Sequence, residues 1–395
     1  AGGLGRGCRG KPYWHGGVLP LLLAWLHTTN DLFSNFLTPL LPKLMDRFGV
    51  GLGTAGLLVS AYSLTGSLLQ PFAGLVADRV DRRLLAALGP VLVALGMGSM
   101  GLWPRFEALL FVLALAGVGS ALFHASGASL VGEYAPKERR GFWLSFFGSA
   151  GNLGLSLGPI VALYVAGRWG LEALFWLTPL VLLPALVLLR LPPVRRAGRP
   201  AGFRDFLRVF RGDVARLWGM ATLRSLVFLS FSTTLPYWYA TKGLPDGYTA
   251  LSLSIYSLSA TLGILVGGTL SDRLGRKAVL VGTLTLGLPL YLGLLFFPAE
   301  NPLYLLLLAA TGALMNAGIP VAVALAQELE PGQTATVSGL LMGFTWGFAG
   351  LFYAPIGRLI EAFGVLPVLL GLGVLLLPAW ALARGVREPA RTMGV

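Results

Sequence analysis

Two stretches decide how this chain folds: Gly74-Leu75-Val76-Ala77-Asp78-Arg79-Val80-Asp81-Arg82-Arg83 and Gly268-Thr269-Leu270-Ser271-Asp272-Arg273-Leu274-Gly275-Arg276-Lys277. Both read Gly-x-x-x-Asp-Arg-x-x-basic-basic, and they lie about half a chain length apart. A tight turn with surface charges would account for the basic residues alone. It does not account for the common order, which indicates a chain built as two related halves. Glycine permits close helix contact, and an Asp beside a helix end can bind a neighbour's N-terminus. The two copies are therefore expected to act as a latch holding one half against the other.

Outward from each copy the chain is apolar for long distances. A bilayer-crossing helix needs about 20 predominantly apolar residues, and twelve such stretches can be placed. Six lie at 17–44, 52–77, 84–103, 108–131, 142–166 and 172–191. Six more lie at 217–241, 248–271, 278–297, 302–327, 337–360 and 365–383. Most connections are short turns marked by Gly, Pro or charge. One is long and rich in arginine, from Pro192 to Arg216. The expected organisation is all-α: an N-terminal tail (1–16), a six-helix bundle (17–191), a basic linker (192–216), a second six-helix bundle (217–384) and a C-terminal tail (385–395).

Composition supports this reading. Of 395 residues, 55% are hydrophobic and only 12% charged, about half the charged share of an ordinary soluble domain. The net charge of +13 would by itself suggest a nucleic-acid partner. Most of the 30 basic residues, however, fall in connections on one side of the alternating spans. By the positive-inside rule that places both termini in the cytoplasm and explains the surplus as topology, with no nucleic acid involved. The Gly/Arg-rich opening lacks the order of a signal peptide. With one cysteine, Cys8, and three histidines, a disulfide scaffold is excluded, and a metal-dependent enzyme embedded in the membrane is disfavoured.

Ionisable residues inside spans are costly and are functional candidates by default. Asp31 lies near the middle of the first span, beside Asn30 and one helical turn from His27. The displacement that relates the two Gly-x-x-x-Asp-Arg copies carries Asp31 onto Ser225, next to Arg224 in the seventh span. Asp31 and Arg224 are thus expected to meet, or to face each other across a cavity between the halves. Two readings stand: a fixed neutralised pair, or a carboxylate that takes up and releases a coupling proton while Arg224 binds an anion. His27 is either a packing residue or a proton relay to Asp31. His124 in the fourth span divides between cavity and packing roles, and Glu133 suits a boundary position. Asn152 and Asn316 can serve a substrate or bond between helices. A metal held by His27, Asp31 and His124 is not expected.

At the repeated stretches the sequence resembles the major facilitator superfamily, whose signature loop reads Gly-x-Leu-Ala-Asp-Arg-x-Gly-Arg-Lys/Arg. The second copy fits at nearly every position; the first departs at Val76 and at Asp81, where the family prefers Gly. The resemblance implies two pseudo-symmetric six-helix bundles around a central cavity, working by alternating access. The latch then comprises Gly74, Asp78, Arg79, Arg82 and Arg83 with Gly268, Asp272, Arg273, Arg276 and Lys277. The fifth span, with glycines at 151, 154 and 158 followed by Pro159, partly resembles the antiporter signature of drug-efflux members, from which Ser145 and Ala162-Leu163 depart. His27-Thr28-Thr29-Asn30-Asp31, Pro39-Leu40-Leu41-Pro42 and Phe123-His124 resemble the fosmidomycin-resistance branch. That branch implies proton-driven export of a small phosphonate.

The expected function is a proton-coupled exporter of small drug-like molecules, anionic ones among them, acting as a monomer in the inner membrane without a cofactor. Asp31 and His27 are the expected proton-coupling residues. Arg224, Asn30, His124, Asn152 and Asn316 are the expected substrate contacts. No Gly-x-x-x-x-Gly-Lys-Ser/Thr loop is present to bind a nucleotide. An importer of a small anionic nutrient and a lipid flippase are the alternatives.

Overall fold

The computed structural model describes residues 18–77, 80–134, 140–190 and 209–389. Almost all of them are helical, and the helices form the twelve spans of two six-helix bundles. Nine helices among the described residues are long and apolar enough to cross a membrane by themselves. The other three spans are short or interrupted. The first is broken into Val18–Ser34 and Leu37–Phe48; the second runs as Leu52–Ser63, a π-turn at Leu64–Leu68, and Gln70–Ala77; the third is Arg82–Gly98. The seventh span begins at Gly212, inside the range read as linker, most of which lies outside the described residues.

The eighth span, Asp246–Leu274, shows how a uniformly apolar helix acquires two faces. Leu258, Leu262, Leu265 and Val266 recur at helical spacing and are all more than half exposed, so they meet lipid. The opposite face carries Gly263 and Gly267, four residues apart and buried. A Cβ at either position would land on the backbone carbonyl of Ala313 or Ala317 in the tenth span, Leu303–Leu329. With lipid as apolar as leucine, backbone-to-backbone approach of this kind is what makes the helices associate.

The repeated stretches start the third and ninth spans in two different ways. Asp81 accepts from the backbone N–H of Arg83 at 3.0 Å and pairs with its guanidinium at 3.0 Å. That is an N-cap, which explains the departure from the family's Gly. The corresponding Gly275 has φ +103°, a backbone region open to glycine but strained for other residues. The ninth span, Arg276–Phe296, is capped from elsewhere: Glu388 accepts from the N–H groups of Arg276 (2.6 Å) and Lys277 (3.3 Å).

The expected latch residues whose contacts can be followed are engaged within their own halves. Arg83 donates to the Leu189 carbonyl at 2.7 Å, and Arg276 bridges Asp272 (2.5 Å) and Glu328 (3.1 Å). Each contact ties helices of one half together, because each arginine sits at the start of a span whose nearest carbonyls and carboxylates belong to its own bundle. Arg82 is buried at the start of the third span, and Gly74 lies in the helix Gln70–Ala77. Asp78 and Arg79 lie outside the described residues. Polar contacts between the halves include Lys43 with Asp246 (2.7 Å), the Gly53 N–H with Glu361 (3.0 Å), and Ser60 Oγ donating to the Gly350 carbonyl (2.9 Å). All lie toward the ends of the helices remote from the chain termini.

Replacing Gly267 by Ala is expected to destabilise the bundle by about 1–3 kcal/mol through overpacking. Gly282→Ala, where an added methyl meets nothing within 4 Å, should be neutral or mildly stabilising. Unfolding of the two purified variants in detergent, side by side with the parent, checks this.

Candidate functional site

The segment Val18–Ser34 brings His27 and Asp31 together one turn apart, with Nε2 of His27 3.3 Å from Oδ2 of Asp31. From the fourth span, Phe106–Tyr134, His124 meets the other oxygen, its Nε2 3.4 Å from Oδ1. Asn30 donates its amide to the same Oδ1 at 2.9 Å. His27 and Asp31 are 7% exposed and Asn30 is fully buried, while the His124 side chain keeps 32% exposure. The cluster is therefore closed except beside His124. An ionised carboxylate taken out of water costs several kcal/mol unless paired and hydrogen-bonded, and these neighbours provide both.

The fifth span, Arg140–Trp169, makes room for the cluster. A Cβ on Gly151 would lie 2.5 Å from Nε2 of His27 and 2.6 Å from Oδ2 of Asp31. Gly154 and Gly158 continue the same face and take the backbone of the first span: a Cβ there would meet the Leu32 N–H at 2.9 Å and the Leu32 carbonyl at 2.8 Å, respectively. The glycines are thus a packing surface, and its first member frames the ionisable pair. The Phe147 carbonyl accepts from Nδ1 of His27 at 2.7 Å, and the Phe147 ring stacks on the imidazole at 4.1 Å between centroids. Nδ1 of His124 donates to the Ser120 carbonyl at 2.9 Å.

The ligating atoms of His27, Asp31 and His124 lie within 4.8 Å of one another, so these are the residues that could be asked to hold a cation. The carboxylate, however, lies between the imidazoles, each Nε2 against a different oxygen. That spacing suits protons shared between the carboxylate and the imidazoles.

Arg224 does not meet Asp31. Its Nη1 donates to the Met315 carbonyl in the tenth span at 2.9 Å, and its Nε has no partner. The side chain turns into the C-terminal bundle near Gly318, a position that also adjoins Leu280 and Thr283 of the ninth span. Near-equivalence in two related halves places two residues at similar depth but does not bring them together. Among the described residues no carboxylate pairs with this guanidinium, although it is only 5% exposed. Its charge is offset by a single carbonyl.

The other expected substrate contacts divide. Asn30 and His124 belong to the Asp31 cluster. Asn316 is 3% exposed and donates to the Gly312 carbonyl at 2.9 Å, a bond within its own helix. Asn152 is half-buried, next to Gly151 on the fifth span. The Glu133 side chain lies outside what is described. Sequence reasoning missed the two carbonyl anchors, which are backbone atoms and leave no compositional trace. It also missed Tyr62, whose hydroxyl donates to Ser34 Oγ at 2.5 Å beside the cluster.

Residues 23–353 match the profile of the Major Facilitator Superfamily, and the chain belongs to that family of membrane transporters. It is 27% identical over 350 residues to the fosmidomycin resistance protein of Escherichia coli (strain K12), covering 85% of this chain and 84% of that one. It is 29% identical over 328 residues to the multidrug resistance protein MdtG of Serratia proteamaculans (strain 568), covering 75% and 77%. In structure it resembles a bacterial homolog of the human lysosomal transporter Spinster in an inward-facing, unoccupied conformation. The TM-score is 0.81 at 18% identity, over 96% of this chain and all of the other. The nucleoside transporter NupG is similar at a TM-score of 0.73 and 17% identity, over 93% of this chain and all of that one. These two likenesses concern the fold alone.

Gly151→Ala is expected to leave a folded protein with transport reduced by about tenfold or more, since a shift of the pair by about 1 Å is enough to disorder it. Gly148→Ala, where a Cβ meets nothing within 4 Å, should transport normally. Paired transport assays of the two variants check this.

Proposed function

We propose that this chain is a proton-coupled exporter of small drug-like molecules, anionic ones among them, working by alternating access between its two bundles in the inner membrane. One observation carries the reading: a buried carboxylate in the first span held between two imidazoles. Such a set can carry and pass protons, because each imidazole has a ring nitrogen beside a carboxylate oxygen. Asp31, His27 and His124 then form the coupling site, and His124 is its exposed side. The resistance proteins among the relatives support the outward direction.

Arg224 is the substrate-side residue in this reading. A buried guanidinium with one carbonyl acceptor is poorly compensated, and an incoming anion would supply the missing partner. Asn152 follows Gly151 on the fifth span, and we keep it as a candidate contact. We place the termini in the cytoplasm, with Arg273, Arg276 and Lys277 on that side. The contacts made by Lys43, Asp246 and Glu361 then close the outer end. The basic residues of the repeated stretches anchor the inner ends and act as the latch when the halves swing together.

Everted membrane vesicles with fosmidomycin as the probe test the proposal. The parent protein should accumulate the probe when a pH gradient, acid inside, is imposed. Asp31→Asn should reduce this to the level of empty vesicles while the protein remains folded and inserted. Arg224→Ala should weaken uptake of the anionic probe more than that of a cationic drug. Gradient-driven uptake that survives in Asp31→Asn would overturn the coupling assignment. Accumulation only in right-side-out vesicles under an inward proton gradient would instead establish an importer.

A further inference from the structure

The two backbone anchors determine how many protons the Asp31 site holds. A carbonyl oxygen only accepts hydrogen bonds. The ring nitrogen facing the Phe147 carbonyl at 2.7 Å carries hydrogen, and the Ser120 carbonyl at 2.9 Å, nearer than the Ser120 hydroxyl at 3.4 Å, favours the same for His124. Both are Nδ1. Each imidazole, when neutral, presents a bare lone pair at Nε2. Those two nitrogens lie 3.3 and 3.4 Å from the two oxygens of one carboxylate.

With no added proton, both contacts set a lone pair against a carboxylate oxygen and the site carries −1. With one proton, one contact is bridged and the other still opposes two lone pairs. With two, both contacts are bridged and the site carries +1. Both nitrogens lie within ion-pair distance of the carboxylate, so the site has a place for a proton on each side. The surrounding elements add no competing charge. The first span contributes Asn30, already donating to Oδ1. The second contributes Tyr62, engaged with Ser34. The fifth contributes Gly151, which has no side chain. Among the described residues no lysine, arginine or further carboxylate pairs with the three.

We propose that the coupling site loads two protons per transport cycle, one on each Nε2–carboxylate contact, with Phe147 and Ser120 holding both imidazoles in the tautomer that makes this count possible. This rests on the reading of Asp31 as the coupling residue. Its consequence is energetic. One pH unit is worth about tenfold in concentration per proton, so two protons sustain about a hundredfold accumulation where one sustains about tenfold.

The count can be read without transport. His15→Ala leaves His27 and His124 as the histidines of the chain. That variant, 15N-labelled at histidine and held in lipid nanodiscs, is titrated by NMR under a chelator. Both rings are expected to reach the imidazolium form while Asp31 stays ionised, and both to become the Nδ1–H tautomer when neutral. A ring that stays neutral throughout the range where the protein is folded, or a neutral ring with hydrogen on Nε2, overturns the proposal. In vesicles, the initial rate of fosmidomycin uptake should depend on the second power of the driving proton concentration, and His124→Gln should reduce this to the first power. An unchanged order in His124→Gln also overturns the count. The outcomes separate the two ideas: two titrating rings with gradient-driven uptake intact in Asp31→Asn would remove the coupling assignment, and with it the count per cycle, and leave only a site able to hold two protons. A single titrating ring with coupling lost in Asp31→Asn would do the reverse.

Discussion

Inside a bilayer no water is available to offset a bare charge, and the carboxylate of Asp31 sets terms that its surroundings meet. It needs donors on both oxygens, so the first and fourth spans must approach closely enough for His27 and His124 to flank it. It needs volume, so the fifth span presents Gly151 where any side chain would collide. It needs oriented donors, so carbonyls of the fourth and fifth spans hold the far side of each ring. Three helices of the N-terminal bundle are thereby placed with respect to one another by one acidic group. Among the described residues, the C-terminal bundle has no counterpart of this cluster. There Arg224 reaches a single carbonyl, and close packing is carried by small residues such as Gly263 and Gly267.

Much of the architecture was legible in the sequence, because membrane spans declare themselves by length and apolarity and the doubled Gly-x-x-x-Asp-Arg stretch declares the repeat. The candidate site was legible in part. His27 and Asp31 share a helix face by simple spacing, and the pair is found in contact. The link from His124 to Asp31 joins two spans, and spacing along one helix carries no information about it. Asp31 and Arg224, expected to meet or to face each other across a cavity, are not in contact, for a related reason. Internal symmetry predicts equivalent depth, whereas the direction of a side chain is decided by local neighbours: Met315 for the arginine, two imidazoles for the aspartate.

The two halves also show how far a repeat constrains its copies. Both must begin a helix just after a charged loop at the membrane surface, and both must satisfy the free N–H groups of its first turn. The first copy does this locally with the Asp81 side chain. The second has glycine there, bends through a positive φ, and receives a carboxylate from Glu388, more than a hundred residues onward. The geometric problem was retained and its chemical solution was not. The copy that keeps the family's glycine therefore depends on a distant contact that no local comparison would reveal.

That distant carboxylate has a practical side. Glu388 lies past the last helix, Leu376–Gly385, in a region usually treated as free for handling. Because it caps the ninth span, it is structural cargo of the C-terminal bundle. An affinity tag, a fluorescent fusion or a trimmed expression boundary belongs beyond it, and one placed nearer the last helix would alter the object it was meant to report on.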